Sequence, residues 1–168
     1  MTNYICINGK KAELTEEQMK ALGIELPKVN PFERKYNNGC KYYSINNNGH
    51  VMEYRDGGKN STADNLRHEV ANYCTDKAIM EQRALHETLN RLLWRYSMEH
   101  DGDKVDWGNT DQRKWYIFWE IGQNRFHHEY SYICYDYGRV YFYNGAIAKN
   151  AIEEIIEPFM KAHPEFKW

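Results

Sequence analysis

The sequence predicts an α+β fold, with an antiparallel sheet built from hairpins packed against a long central helix and a C-terminal helix. Three observations support this prediction. Residues 76–100 form a long stretch without glycine or proline, short alternating runs repeatedly flank turn residues, and a second apolar stripe lies near residue 150. Hairpins, a long helix, further strands and a last helix, in that order, are typical of the class.

The composition indicates one main domain and excludes some classes of binding protein. The chain has 168 residues, and its 22 basic and 24 acidic side chains give a net charge of −2. This balance argues against a nucleic-acid binder that works by bulk charge and against a strongly acidic DNA mimic. The four cysteines form no CxxC pair, and we find no secretory signal or membrane-spanning run. We therefore expect a cytoplasmic protein with free thiols and no membrane partner.

The N-terminal residues predict a small hairpin followed by a short helix. Residues 3–14 alternate apolar and polar side chains around Asn8-Gly9, which is a strong signal for a tight hairpin. Thr15 and Gln18 then have the spacing of a capping box at the start of a helix.

A connector is predicted between this appendage and the main body. The short helix stops at Gly23, and Pro27 and Pro31 follow in a segment with little periodicity. We therefore divide the chain into an appendage, 1–30, and a main α+β domain, 31–168. An appendage of this size buries little by itself, so it is expected to dock on the body or on another molecule.

The main domain is predicted to open with a second hairpin. Residues 41–46 and 50–55 flank a turn at 47–49. The segment 56–65 is rich in Gly, Asn, Ser, Thr and Asp, and we interpret it as a solvated polar loop. Residues 67–74 fit a short strand or an extended approach to the central helix.

The central helix has a clear core-facing side. Asp76 or Thr75 can cap its start, and Gly102 can provide a left-handed stop. Steps of about 100° per residue place one apolar set on a single face: Ala78, Leu85, Leu89, Leu92, Leu93 and Tyr96.

The opposite side of this helix combines arginines with large apolar residues. Met80, Trp94 and Met98 fall there, between the polar residues Arg83, Glu87, Asn90, Arg91 and Arg95. The charges can simply support the helix through pairs at i,i+4 spacing, and the apolar residues can lie under the appendage or against a symmetric copy. The functional interpretation is an anchor for a partner protein or a nucleic-acid backbone.

Two sets of partner-binding candidates follow from this pattern. The first is the helix set Arg91, Trp94, Arg95 and Met98. The second is the basic pair Arg55 and Lys59 beside the predicted loop, because exposed loops often carry recognition residues.

The C-terminal third predicts further strands and a last helix. Residues 114–119 are almost all aromatic or aliphatic, which suits a strand covered on both faces. Residues 129–135 and 139–143 flank a turn and predict a third hairpin. Asn144 can cap the final helix, and Pro158 should kink or restart it. The apolar stripe of this helix comprises Ile147, Ala148, Ala151, Ile152, Ile155 and Ile156.

No catalytic motif is present in the sequence. The second histidine of an HExxH zinc site that begins at His86 would stand at Asn90. His127 and His128 are adjacent in a predicted strand, so their side chains point to opposite faces and cannot chelate one ion together. Phosphate-binding and nucleophile-elbow motifs are also absent. We therefore predict a protein that is not an enzyme and has no catalytic residues, cofactor or metal.

Seven stretches that together cover nearly the whole chain carry a resemblance to known proteins. They are INGKKAELTEEQMKALGIE, NPFER, KYYSINNNGHV, NYCTDKAIMEQRALHETLNRLL, KWYIFW, GRVYFYNGAIAKNAIEEI and EPFMKAHPEF. Together they resemble a family of small phage and prophage proteins from Firmicutes. Some proteins of this kind are anti-CRISPR inhibitors of the type II-A nuclease Cas9.

This resemblance implies a function in the binding class. The expected protein is a phage-encoded inhibitor in an infected or lysogenic host cell, which binds Cas9, with or without guide RNA, and blocks DNA engagement or cleavage. Direct nucleic-acid binding is left open. The alternatives are a self-associating, homodimeric phage accessory protein or a nuclease with a dispersed site.

Overall fold

The computed structural model describes residues 4–7, 10–23, 30–36 and 39–168, and it confirms the α+β class. The chain divides into two compact units, Met1–Glu33 and Arg34–Trp168. The strands are β1 Tyr4–Ile7, β2 Lys10–Glu13, β3 Lys41–Ile45, β4 Val51–Arg55, β5 Lys114–Glu120, β6 Arg125–Ser131 and β7 Tyr141–Phe142. The helices are α1 Glu16–Ala21, α2 Thr62–Glu69, α3 Lys77–Glu99, α4 Gly145–Ala151 and α5 Glu157–Ala162. None of the helices in these described ranges is long and apolar enough to cross a membrane.

The first unit contains the predicted hairpin and capped helix. β1 and β2 pair antiparallel, with Ile7 opposite Lys10, whereas the predicted turn residues between them lie outside the described residues. The Thr15 side chain accepts a hydrogen bond from the Gln18 N–H at 3.2 Å, and Gln18 Oε1 accepts one from the Thr15 N–H at 2.9 Å. This reciprocal pair is the predicted capping box.

In the second unit, β3 and β4 form the predicted hairpin, with Ile45 opposite Val51. The prediction for the next segment is wrong in two respects. Thr62–Glu69 is the helix α2, capped by Ser61, and the chain reaches α3 through a turn and a single bridge between Cys74 and Tyr43. Small polar residues typical of loops thus form a helix here because its cap and its buried side chains are satisfied within the fold.

Helix α3 begins as predicted but ends differently. Asp76 accepts hydrogen bonds from the Ala78 and Ile79 N–H groups at 2.9 and 3.2 Å. The left-handed residue after the helix is Asp101, with φ 64°, and not Gly102. Gly102 instead lies so close to the helix end that an added Cβ would come within 2.6 Å of the Ser97 carbonyl oxygen. Glycine is therefore needed at position 102 because the backbone lies close to Ser97, and not because of a left-handed backbone angle.

Helix α3 contributes to two separate apolar clusters. Its first half places Met80 and Ala84 with Ile45 and Cys74 under the β3–β4 hairpin. Its second half packs in a larger core with the three-stranded sheet and the last helices through Leu89, Leu93 and Tyr96. The placement of Met80 on the exposed side is therefore wrong, and Ala78, assigned to the core face, is exposed.

The C-terminal sheet has the strand order β6-β5-β7, and all its pairs are antiparallel. The strand predicted at residues 114–119 is confirmed as β5. The predicted third hairpin is wrong, because β6 pairs with β5 through residues 125–131 and the chain then crosses to the other edge of β5. There β7 pairs only with Trp115 and Tyr116.

A buried lysine joins two loops at one end of this sheet. Lys114 is 1 % exposed, and its ammonium group donates to the carbonyl oxygens of Asn109, Gln112 and Tyr132 at 2.5, 3.1 and 3.2 Å. These three bonds use the full donor capacity of the ammonium group.

The last helical run adapts to its proline as predicted. Asn144 caps α4 by accepting from the Ile147 N–H at 2.9 Å. A π-helical turn at Ile152–Ile156 follows, and α5 restarts with Pro158 in its first turn. The wider turn accommodates a proline that would otherwise clash with the carbonyl four residues earlier.

Candidate binding surface

The structure brings four of the predicted partner-binding residues together on one stripe of α3. Arg91 and Arg95 are four residues apart, as are Trp94 and Met98, and Trp94 follows Arg91 by three residues. The four side chains therefore lie on the same side of the helix. Trp94 is 60 % exposed and Met98 is 41 % exposed. We call this set the α3 stripe.

The α3 stripe is open to solvent in the second unit. Trp94 and Met98 are exposed, so the packing of Arg34–Trp168 does not bury them. Their neighbours Leu93 and Tyr96 face the core, which fixes the direction in which the stripe points.

The arginines near the stripe are only partly paired with carboxylates. Arg83 and Glu87 form the predicted ion pair at 2.8 Å, and Arg95 and Glu99 approach at 3.9 Å with both side chains largely exposed. Such exposed pairs stabilise a helix weakly. Since the Arg95 pair is long and exposed, its guanidinium group is accessible to a partner.

Arg91 lies against the tip of the β3–β4 hairpin. A Cβ added at Gly49 would stand 3.0 Å from Arg91 Nη2, so the turn backbone packs closely on this guanidinium group. This contact limits the directions in which Arg91 can point. It also links the α3 stripe to the hairpin turn.

The other two predicted residues lie elsewhere on the hairpin. Arg55 and Lys59 are exposed, but Arg55 ends β4 opposite Lys41, at the end remote from the turn that meets Arg91. Four strand residues separate Arg55 from the turn, a distance of about 13 Å. The structure does not place this basic pair on the α3 stripe.

The segment around Arg55 contains a buried polar network and not a solvated loop. The Arg34 side chain, 1 % exposed, donates to both carboxylate oxygens of Asp56, 0 % exposed, at 2.6 and 2.7 Å. Asp56 also accepts from the Gly58 N–H at 2.7 Å and from the Tyr73 hydroxyl at 3.2 Å. The hydrogen bonds from Arg34 outweigh burial and lower the pKa of Asp56.

A second buried carboxylate belongs to the same network. Asp64 accepts from the Tyr42 hydroxyl, from the Gly57 N–H at 2.8 Å and from Arg67 at 3.2 Å. Although burial opposes its ionisation, hydrogen bonds from Ser61, Tyr42 and Gly57 lower the pKa of Asp64 to about 2. Burial and the bond to Asp64 raise the pKa of Tyr42 to about 12.

This network is satisfied internally. Every buried side-chain nitrogen and oxygen in the described part of the chain has a hydrogen-bond partner. Both aspartates are therefore held as anions by fixed donors, and neither is poised to exchange a proton near neutral pH. The network holds the segment after β4 in place.

His127 and His128 point to opposite faces of β6, as predicted. His127 Nε2 lies 3.2 Å from Glu120, and Arg125 donates to the same ring nitrogen at 2.6 Å. His128 faces the core side, where it contacts Trp115. The described residues contain no group of three or more His, Cys, Asp or Glu that could hold a metal ion.

Sequence reasoning missed a second exposed apolar region. The segment between β6 and β7 exposes Ile133, Tyr135 and Tyr137, and Tyr137 is 100 % exposed. The run of tyrosines is the sequence signal for this region, but the incorrect hairpin prediction placed Ile133 and Tyr135 in a strand and Tyr137 in its turn. The rings of Trp107 and Tyr135 pack edge-on, with their centroids 4.8 Å apart.

Searches against protein-family models, curated proteins and solved structures found no match for this chain.

Proposed function

We propose that this protein is a non-enzymatic binding protein that recognises its target through the α3 stripe. The observation that supports the proposal is the solvent exposure of Trp94 between Arg91 and Arg95 on a helix whose other side is packed in the core. Tryptophan and arginine are the residue types that contribute most often to the binding energy of interfaces. A rigid helix also presents them with little loss of conformational entropy.

We further propose that the target is a host Cas9 nuclease, alone or with its guide RNA, in an infected or lysogenic cell. This choice rests on the resemblance of the chain to phage proteins of the anti-CRISPR kind. The near-neutral net charge of −2 favours blocking by surface contact over mimicry of DNA.

A DNA-cleavage assay tests both parts of the proposal. Purified protein is incubated with Cas9 and guide RNA before target DNA is added, and cleavage is measured as the protein concentration increases. We expect the native protein to inhibit, and Trp94→Ala to need a concentration about 30-fold higher, the loss typical of a hot-spot residue. The matched control is Ile79→Ala, which removes another exposed apolar side chain from the same helix outside the stripe.

The two parts fail separately. Undiminished cleavage across several Cas9 orthologues would contradict the target. Inhibition by Trp94→Ala equal to that of the native protein would contradict the surface. Urea denaturation checks that Trp94→Ala is still folded. Removal of an exposed side chain should change the free energy of unfolding by only about 0.5 kcal/mol or less.

Self-association is a second candidate function for the same surface. Trp94 and Met98 form an exposed apolar pair on α3, which a symmetric copy can cover. Light scattering at high protein concentration should then give a dimer that Trp94→Ala converts to a monomer. A monomer in the native protein, with Trp94 fluorescing as a solvated residue, would remove this candidate.

A further inference from the structure

The central strand of the C-terminal sheet has an incomplete edge. β6 pairs with β5 along its whole length, from Lys114 to Glu120, whereas β7 pairs only with Trp115 and Tyr116. Among the described residues, no strand pairs with residues 117–120 on the β7 side. Backbone N–H and C=O groups that point to this side therefore lack a partner strand.

The chain before β7 is turned away from this edge by specific contacts. Continuing the ladder would place Val140 opposite Ile117, but a turn precedes it, with Gly138 at φ 80° and the Arg139 N–H bonded to the Asp136 carbonyl at 3.2 Å. The Asp136 N–H donates to the Tyr141 hydroxyl at 2.9 Å. These bonds hold the chain off the edge, so β7 stays short.

A cleft occupies the space that a longer strand would fill. Its volume is about 470 Å³, and it is lined by residues 117–119 of β5, by residues 136–140 before β7, and by Asn90 and Leu93 of α3. A second cavity of about 350 Å³ shares four of its lining residues and extends it along the helix. The shared residues are Asn90, Leu93, Gly138 and Trp168.

The walls of this cleft have two kinds of chemistry. One wall is the edge of β5, whose backbone groups present alternating partial negative and positive charges. Leu93, Phe142 and Trp168 supply apolar surface, and Asn90, Asp136 and Arg139 add polar side chains beside it. An extended peptide complements both, because its backbone pairs with the edge while every second side chain enters the apolar part.

We propose that this cleft binds an extended peptide segment of another protein as an added strand beside β5. The charge complementarity of the unpaired backbone selects a strand over a helix or a compact surface, since only an extended chain offers donors and acceptors at the strand spacing. The segment carries apolar residues at alternate positions. The site goes beyond the proposed function, because no member of the α3 stripe lines the cleft.

The test uses the full chain and a displayed library of short random peptides as the probe. Selected peptides are synthesised, and their affinity is measured by calorimetry for the native protein, for Asn90→Trp and for Glu99→Trp. Asn90 is an exposed lining residue, so a tryptophan there fills the cleft and should weaken binding by about tenfold or more. Glu99→Trp adds the same side chain to an exposed position of the same helix outside the cleft and should leave the affinity unchanged.

Backbone methylation of the peptide distinguishes strand addition from side-chain binding. A methyl group on a nitrogen that bonds to β5 should weaken binding by about tenfold, whereas one on the next nitrogen, which faces away, should have little effect. Hydrogen exchange of the amides in residues 117–120 should slow when the peptide binds.

Three results would overturn the proposal. One is a library that yields no binder. Another is a set of binders whose affinity is insensitive both to Asn90→Trp and to the position of the methyl group. The third is protection of residues 117–120 that rises with protein concentration without any peptide, since this would assign the edge to a second copy of the chain.

Discussion

The segment around Asp56 and the core beneath the three-stranded sheet are both buried, but they are held by different forces. Around Asp56 and Asp64, ionised carboxylates accept hydrogen bonds from Arg34, Tyr42 and the backbone. Beneath the sheet, Leu89, Phe142 and Ile156 pack by apolar contact. We call these regions the polar network and the apolar core.

The difference determines how each region responds to damage. Hydrogen bonds to a buried charge are directional, so the loss of one partner leaves the other unsatisfied at high cost. Apolar contacts are not directional, and neighbouring side chains can partly relax into a gap. The polar network should therefore be more sensitive to the loss of a single partner, and the apolar core more sensitive to the volume removed.

Asp56→Ala should give the largest effect. It leaves the Arg34 guanidinium group buried without its carboxylate, so we expect a loss of about 3–5 kcal/mol in the free energy of unfolding. Urea denaturation at pH 7 measures this loss.

The matched control replaces both partners of the ion pair. Arg34→Met with Asp56→Leu removes both charges, and this double variant should be more stable than Asp56→Ala alone. If the two variants are equally unstable, the cost arises from the lost Tyr73 and Gly58 contacts and not from an unpaired arginine.

Leu89→Ala should be the next most damaging change, with a loss of about 2–5 kcal/mol for a side chain buried in the apolar core. The conservative variant Leu89→Met keeps most of the volume and should cost less than about 1.5 kcal/mol. The same urea measurement compares them. Equal losses for the two substitutions would contradict the dependence on volume.

The smallest expected effect is the loss in the free energy of unfolding at low pH. The pKa of Asp64 is about 2 in the folded protein, below its ordinary value of 3.8. Folding therefore gains stability from the ionised carboxylate above pH 4, and about 2 kcal/mol is lost as the pH falls from 4 towards 2. The lowered pKa of Asp56 acts in the same direction.

Asp64→Asn isolates this contribution. Unfolding by urea is measured at several pH values between 6 and 2, and the curve for Asp64→Asn should be flatter than that of the native protein. Parallel curves would mean that Asp64 does not contribute to the acid dependence.

Sequence patterns predicted the parts of the fold that depend on neighbouring residues. Thr15, Asp76 and Asn144 cap helices because their side chains reach N–H groups two or three positions along the chain. The β1–β2 and β3–β4 hairpins likewise form between adjacent segments. Such features require no knowledge of distant contacts.

Features that depend on distant partners were missed. The strand β7 joins β5 across an intervening strand, and no local pattern distinguishes that pairing from a hairpin with β6. The burial of Asp56 depends on Arg34, which lies 22 positions earlier in the chain. The polar composition of residues 56–65 therefore predicted a solvated loop, although Asp56 is buried and paired with Arg34.

The candidate binding surface was predictable in part. Helical periodicity separated the two faces of the C-terminal half of α3. Leu93 and Tyr96 are buried there, whereas Trp94 and Met98 are exposed. It failed for Met80, because the first half of α3 packs against the hairpin and the second half against the sheet. The prediction assumed that one face of α3 is buried along its whole length. The hairpin and the sheet instead contact different faces of the helix.

The ammonium group of Lys114 donates to three backbone carbonyl oxygens that would otherwise need a bound cation or water. This group joins the loop before β5 to the first residue after β6, beside the segment that exposes Tyr135 and Tyr137. The exposed tyrosines therefore lie on a segment whose first residue is fixed by hydrogen bonding. Anchoring the base of the segment in this way reduces the conformational entropy that the segment loses when another molecule binds it.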